Sequence, residues 1–168
     1  MATLVLFSGV PGVGKSTLSY RLATETGWAL IPRDQIDRSL EQEQVFNGRA
    51  SYEVMFGLAR LNLQRNVSVI LDAVFTVAPL RETAMAIAHE THARFFAIVS
   101  TCSDLATWER RVANRPAVVD GWTPANWEEV QRVQTRFQPW QSPHLLVDAI
   151  RPIEENYSTL LDYIGHKR

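Results

Sequence analysis

The chain contains little cysteine, little net charge and no long apolar segment. Cys102 is the one cysteine among 168 residues, so no disulfide can form within the chain, and a reducing, cytoplasmic location is expected. The formal net charge of −1 provides no overall attraction to nucleic acid or to an anionic membrane surface. No apolar run approaches the length that spans a bilayer, and the first apolar stretch lacks the basic flank of a signal peptide, so membrane association is not expected.

Short apolar runs alternate with segments of helical periodicity along the chain. The hydrophobic fraction of 46% and the charged fraction of 21% are ordinary for a globular protein, and the length suits one domain over residues 1–168. Continuous apolar runs, which predict buried strands, occupy residues 3–8, 28–31, 67–72, 94–99 and 144–148. This pattern predicts a parallel sheet covered by helices on both faces, a three-layer α/β/α fold.

Polar residues follow several of these predicted strands. Asp72 and Asp148 close two of them, and a charged cluster at residues 33–38, which we expect to form a loop, follows another. In an open parallel sheet, ligands bind beyond the carboxyl ends of the strands. These side chains are therefore expected to gather at one edge of the sheet, beside Ser8 and Gly9 at the end of the first strand.

Residues 9–17 read Gly-Val-Pro-Gly-Val-Gly-Lys-Ser-Thr, which is the spacing of a phosphate-binding loop. A predicted strand precedes this segment and a predicted helix follows it, as the motif requires. Glycines let consecutive backbone N–H groups turn toward a phosphate, and the helix adds the positive end of its dipole. The residues predicted to bind the nucleotide are Gly9, Pro11, Gly12, Val13, Gly14, Lys15, Ser16 and Thr17.

Two side chains of this loop have specific expected roles. Lys15 can reach the β and γ phosphates of a nucleoside triphosphate, where it would act in catalysis. The Ser16 hydroxyl can ligate Mg²⁺. The expected ligands are therefore ATP and Mg²⁺.

Beyond the loop, the chain resembles the small P-loop kinases of the polynucleotide 5′-hydroxyl kinase, zeta-toxin and chloramphenicol phosphotransferase group. Four shorter motifs carry the resemblance together with the loop: Ile-Pro-Arg-Asp at 31–34, Val-Ile-Leu-Asp-Ala at 69–73, Arg-Val-Ala-Asn-Arg at 111–115 and Val-Asp-Ala at 147–149. The resemblance covers nearly the whole chain. It implies a five-stranded parallel sheet in the order 2-3-1-4-5, a helical lid at approximately residues 110–124, and ATP as the phosphoryl donor.

The resemblance places a general base at Asp34, after the second predicted strand. Transfer of a phosphoryl group to a hydroxyl requires such a carboxylate to orient the nucleophile and to accept its proton. Many members of the group hold the acceptor with an arginine three residues later. Here that position is Asp37 and the arginine is Arg38, which we expect to bind the substrate. Asp72 has three open interpretations: a Mg²⁺ ligand, a residue that binds the acceptor hydroxyl, or a turn cap.

The lid implied by the resemblance contributes two arginines. Arg111 and Arg115 lie four residues apart on one helical face and are expected to reach the transferring phosphate when the lid closes. In the same segment, Asp120 is a candidate for locking the closed lid, and Trp122 is a candidate for contacting the substrate.

Another pair of arginines is implied at the adenine. In the group that the chain resembles, the segment after the last strand lines the base. Arg151 is therefore expected to stack on adenine, with Arg110 on the opposite side. A turn at the end of the strand explains the following Pro152 equally well.

These observations favour an ATP- and Mg²⁺-dependent kinase that phosphorylates a hydroxyl of a small molecule. The first alternative is a polynucleotide 5′-hydroxyl kinase, against which the near-neutral net charge and the shifted Arg38 count. The second is a nucleotide-dependent switch or toxin-like regulator, although no Asn-Lys-x-Asp guanine-binding motif is present. The expected partners are ATP and a hydroxyl-bearing substrate, and both a monomer and a homodimer stay open.

Overall fold

A five-stranded parallel sheet forms the centre of the computed structural model, which describes residues 1–45, 47–115 and 124–166. The strands are β1 (Thr3–Ser8), β2 (Ala29–Pro32), β3 (Val69–Asp72), β4 (Arg94–Thr101) and β5 (Leu145–Asp148). Their order across the sheet is β2-β3-β1-β4-β5, with every neighbouring pair parallel. The predicted three-layer fold and strand order are confirmed.

Helices connect the strands and cover both faces of the sheet. They are α1 (Lys15–Thr26), α2 (Arg33–Gln42), α3 (Gly48–Gln64), α4 (Ala78–Glu90), α5 (Leu105–Ala113), α6 (Trp127–Arg136) and α7 (Ile153–Ile164). None of the helices in the described segments combines the length and the apolar character needed to cross a membrane.

The central strand β1 shows why its sequence is a continuous apolar run. Leu4 and Leu6 point to the face covered by α3 and α4, whereas Val5 and Phe7 point to the face covered by α1 and α7. All four side chains are fully buried. Because successive strand residues point to opposite faces, a strand covered on both sides needs apolar residues at every position.

The prediction of a loop at residues 33–38 is wrong, because α2 begins directly after β2. Arg33 donates a hydrogen bond to the Ser51 hydroxyl on α3 and forms an ion pair with Asp37 at 3.2 Å. These contacts convert the charged cluster into a helical turn anchored to its neighbour. Asp34 consequently lies in the first turn of a helix, where a negative charge is favoured by the helix dipole.

Helices α5 and α6 form a small layer over the phosphate-binding loop. Trp108 of α5 packs edge-to-face against Trp127 of α6, with 5.0 Å between ring centroids, and its indole Nε1 donates to the Pro11 carbonyl at 2.9 Å. Arg111 and Arg115 were expected on one helical face, but α5 ends at Ala113 and only Arg111 belongs to it. The loop is therefore held against a packed tryptophan pair, and Arg115 lies just beyond the helix.

Candidate active site

The loop between β1 and α1 has backbone geometry that only glycine adopts without strain at Gly9, Gly12 and Gly14, and at the first two of these a Cβ would also collide with a neighbour. At Gly9, where φ is +142°, an added Cβ would lie 2.4 Å from the Ser100 carbonyl oxygen. At Gly12, where φ is +85°, an added Cβ would lie 2.6 Å from a methyl group of Val112. The close approach of β4 and α5 thus requires both glycines, in addition to any approach of a phosphate.

Lys15 is the first residue of α1, and its side chain is buried in the loop. The ammonium Nζ donates to the Val10 carbonyl at 3.2 Å. Burial lowers the pKa of Lys15, while the nearby carboxylates of Asp72 and Asp34 act in the opposite direction. A polyphosphate at this position would supply the negative charge that a buried ammonium lacks.

A cavity of about 560 Å³ opens over the phosphate-binding loop. The predicted nucleotide-site residues that line it are Gly12, Val13, Gly14, Lys15, Ser16, Thr17, Arg111, Arg115 and Arg151. Gly9 lies at the base of the loop, where its N–H donates to the Val74 carbonyl, and Pro11 lines a neighbouring cavity. Arg110 is not brought to the site, because it lies on the exposed side of α5, 3.4 Å from the Thr107 hydroxyl.

The segment between β5 and α7 forms one end of this cavity, and two arginines lie there. Arg111 donates from Nη2 to the Ala149 carbonyl at 3.0 Å, which links α5 to that segment. Arg151 forms a surface ion pair with Glu155 at 3.0 Å. The arginine of α5 that shares the cavity with Arg151 is therefore Arg111, whereas the sequence favoured Arg110.

A second cavity, of about 460 Å³, lies beside the first. Asp34, Arg38 and Asp72, which were predicted separately as base, substrate ligand and strand-end acid, all line it. Three further polar side chains line it to which the sequence assigned no role, Tyr20 of α1 and Arg33 and Gln35 of α2. Partial burial raises the pKa of Tyr20, and the negative charges of Asp72 and Asp34 act in the same direction.

The two cavities meet at three residues that line both of them. These residues are Lys15, Ser16 and Arg115. The sheet topology explains the meeting, since the ends of β1, β2 and β3 are neighbours at one edge. A ligand bound along the phosphate loop would therefore have its terminal part facing a ligand in the second cavity.

Asp72 is held in place by a hydroxyl that the sequence analysis did not identify. Ser19 is fully buried on α1, and its Oγ lies 2.8 Å from Oδ2 of Asp72 and 3.2 Å from the Ser16 carbonyl. The sequence feature that could have identified it is a serine among the apolar residues Leu18 and Leu22 on the buried face of α1. The hydroxyl has a single proton, which the shorter distance assigns to Asp72, so Ser19 ties the strand-end carboxylate to the helix that follows the loop.

The side chains near this hydroxyl fit a Mg²⁺ ion. Mg²⁺ takes oxygen ligands and usually combines one or two carboxylates with water and substrate phosphates. Ser16 offers a hydroxyl and Asp72 a carboxylate, and both line the second cavity. This donor set is consistent with the predicted metal site.

Asp34 and Arg115 are in direct contact across the second cavity. Nη2 of Arg115 lies 3.3 Å from Oδ2 of Asp34, whose side chain is 59% exposed. The contact brings the predicted base and a predicted lid arginine together. The part of the predicted lid that includes Asp120 and Trp122 lies outside the described residues.

Fold and loop together define a P-loop protein of the three-layer α/β class. Within that class, the chain belongs to the AAA domain family AAA_33, which matches residues 4–140. Uncharacterized proteins of Mycobacterium tuberculosis (Rv2004c) and Mycobacterium bovis (Mb2027c) are each 30% identical to it over 169 residues. The alignment covers 91% of this chain and 33% of each relative, so the chain spans about a third of the length of these curated relatives.

Solved structures with the same fold include several kinases. A sugar kinase from Janibacter sp. matches with a TM-score of 0.74 at 15% identity, covering 98% of this chain and 95% of the other. The Mycobacterium tuberculosis APS kinase CysC, in complex with AMPPNP and APS, matches with a TM-score of 0.70 at 21% identity, covering 98% of both chains. A gluconokinase from Sinorhizobium meliloti matches with a TM-score of 0.70 at 14% identity, covering 98% and 91%. These similarities confirm the fold.

Proposed function

We propose that the protein is an ATP- and Mg²⁺-dependent kinase that transfers the γ-phosphoryl group to a hydroxyl of a small-molecule acceptor. The observation that carries the proposal is the meeting of two cavities at Lys15, Ser16 and Arg115. One cavity has the phosphate loop, and the other has two carboxylates. Structures with the same fold include proteins described as kinases, which supports the proposal.

On the nucleotide side, the proposed roles follow from charge and position. The loop amides and Lys15 would neutralise the β and γ phosphates. Ser16 and Asp72 would hold a Mg²⁺ ion, which would supply positive charge to the transferring phosphate. Arg115 would approach the same phosphates from the other side of the cavity, as a lid arginine does in the group that the chain resembles, whereas Arg111 is held at the Ala149 carbonyl.

On the acceptor side, Asp34 is the proposed base. It would accept a hydrogen bond from the acceptor hydroxyl, orient its oxygen toward the γ phosphate, and take the proton as the new bond forms. Its ion pair with Arg115 would loosen when a triphosphate draws that arginine toward the shared junction. Nucleotide binding would thereby release the base for the acceptor.

Arg38 is the proposed substrate ligand. It lines the acceptor cavity, and its Nη1 lies 3.4 Å from Oε1 of Gln35. No carboxylate in the described segments forms an ion pair with it, in contrast to Arg33, which is paired with Asp37. Arg38 is thus available for a polar or anionic group of the acceptor.

The experiment that tests this function is Mg²⁺-dependent ATP consumption in the presence of pooled acceptors. The pools are sugars, sugar acids, nucleosides, aminoglycoside or phenicol antibiotics, and oligonucleotides with 5′-hydroxyl ends. We expect one small-molecule pool to accelerate ATP consumption, and the variant Lys15→Ala to abolish that acceleration while staying folded. Acceleration by oligonucleotides alone would favour the polynucleotide kinase. Tight ATP binding with no acceleration by any pool would favour the switch.

A further inference from the structure

Asn156 places a polar group in a mainly apolar part of the nucleotide cavity. It lies near the start of α7, and 7% of the residue is exposed. The cavity walls around the segment between β5 and α7 include Val147, Ala149 and Ile153. Apolar walls of this kind suit the flat faces of a purine base, and Asn156, which lines this end of the cavity together with Arg111 and Arg151, is the uncharged polar side chain there that can meet the edge of the base.

Hydrogen bonding fixes which end of the Asn156 amide is available to a ligand. Its Nδ2 donates to the Asp148 carbonyl at 2.8 Å. A carbonyl can only accept, so the amide group on that side must be the NH₂. The oxygen Oδ1 makes no hydrogen bond within the described residues, and it is not among the polar atoms sealed off from solvent. Oδ1 is therefore an acceptor that a bound ligand can use.

The backbone that supports this amide is itself held by hydrogen bonds. The carboxylate of Asp148 accepts from the N–H groups of Ser103 and Ile150, at 3.1 and 3.2 Å. Arg111 adds a bond to the neighbouring Ala149 carbonyl. A polar group discriminates between ligands only when its position is fixed, and these contacts fix it.

We infer that Asn156 recognises the 6-amino group of adenine and thereby selects ATP over nucleotides with a 6-oxo group. The adenine amino group donates a hydrogen bond, which Oδ1 can accept. The 6-oxo group of guanine is an acceptor and would face another acceptor across the cavity. This inference rests on the proposed function to the extent that the cavity must bind a nucleoside triphosphate, and it adds the residue that chooses the base.

The test compares the binding of ATP, GTP and purine riboside 5′-triphosphate, which lacks only the 6-amino group of ATP. Calorimetry with Mg²⁺ and no acceptor measures binding without turnover. The protein should bind ATP roughly tenfold more tightly than purine riboside triphosphate, the effect of one hydrogen bond. In Asn156→Ala this ratio should fall to within about twofold.

Asn114 provides a matched control for this variant. It lines the same cavity, and its Nδ2 also donates to a carbonyl, that of Arg110, at 2.8 Å. Asn114→Ala should therefore keep the roughly tenfold ratio. The inference would be overturned if Asn114→Ala lost the preference for ATP over purine riboside triphosphate and Asn156→Ala kept it.

Two further results would also overturn it. One is equal binding of ATP and purine riboside triphosphate by the unmodified protein, which needs no variant to fold. The other is an unchanged ratio in folded Asn156→Ala, because a ratio within one variant is independent of the fraction that is folded. If neither nucleotide binds, the proposed kinase function fails as well, whereas equal binding removes only the role of Asn156.

Discussion

Replacing Ser19 with alanine removes the hydroxyl that ties Asp72 to the helix that follows the phosphate-binding loop. Ser19 is fully buried, and its Oγ lies 2.8 Å from an oxygen of Asp72, of which 5% is exposed. A hydrogen bond to a charged group contributes about 1.5–3 kcal/mol, and its loss leaves a buried carboxylate with one donor fewer. Ser19→Ala should therefore reduce the free energy of unfolding by about that amount, as measured by urea denaturation.

The same variant should also weaken Mg²⁺ binding if Asp72 holds the metal. Residues that orient a metal ligand typically contribute 10–100-fold to metal affinity. With ADP bound to the protein, the Mg²⁺ concentration needed for half-saturation should therefore rise about tenfold in Ser19→Ala. Thr24→Ala is the control, because the Thr24 hydroxyl on the same helix donates to the Tyr20 carbonyl at an exposed position. Unfolding free energies and Mg²⁺ requirements that are the same in Ser19→Ala and Thr24→Ala would refute the role of Ser19.

Two further predictions concern the loop and the helix that covers it. Gly12→Ala should destabilise the protein and weaken ATP binding, because the new Cβ would lie 2.6 Å from Val112 at a φ of +85°. Gly57→Ala, in open space on α3, should stabilise it by about 0.5–1 kcal/mol; thermal unfolding that ranks the two variants equally would contradict this. Hydrogen bonds from the side chain and N–H of Thr107 hold the pKa of Asp104 below its usual 3.8. The stability that the charged cap contributes is therefore present above that pH and is lost as the pH falls through the lower pKa of the folded protein. Urea denaturation should give different unfolding free energies for Asp104→Asn and the unmodified protein at neutral pH. In strong acid the two free energies should differ much less.

The sheet was predictable from sequence because local signals and fold rules agreed there. The glycine-rich loop requires a strand before it and a helix after it, and apolar runs mark the remaining strands. Helix α2 was missed because its residues are mostly polar or charged and Pro32 before it offers no side-chain cap. Arg33 anchors it to Ser51 of α3, and Ile36 packs against the core, contacts that local patterns do not show.

The site was predictable where residue type and strand-end position coincided. Asp34 and Asp72 end in one cavity, as parallel-sheet topology requires. Ser19 and Asn156 were missed because each looks like an ordinary helix residue until the fold places its partner nearby. Ser19 meets Asp72 from 53 positions away in the chain, which no local pattern encodes. For the arginines, helical spacing could not decide between Arg110 and its neighbour.

The measurement that tests the central claim most directly is the rate of phosphoryl transfer by Asp34→Asn, with ATP affinity measured in parallel. Asp34 lines the acceptor cavity and not the nucleotide cavity, so the variant should still bind ATP, and at least as tightly as the unmodified protein, because the ion pair with Arg115 that a triphosphate must loosen is weakened. Loss of a general base should slow transfer by about 10²–10⁴-fold. Asp37→Asn is the control on the same helix, and it should transfer at close to the unmodified rate because Asp37 contacts Arg33 and does not line the cavity. Near-native transfer by Asp34→Asn would contradict the assignment of the base and the account built on it.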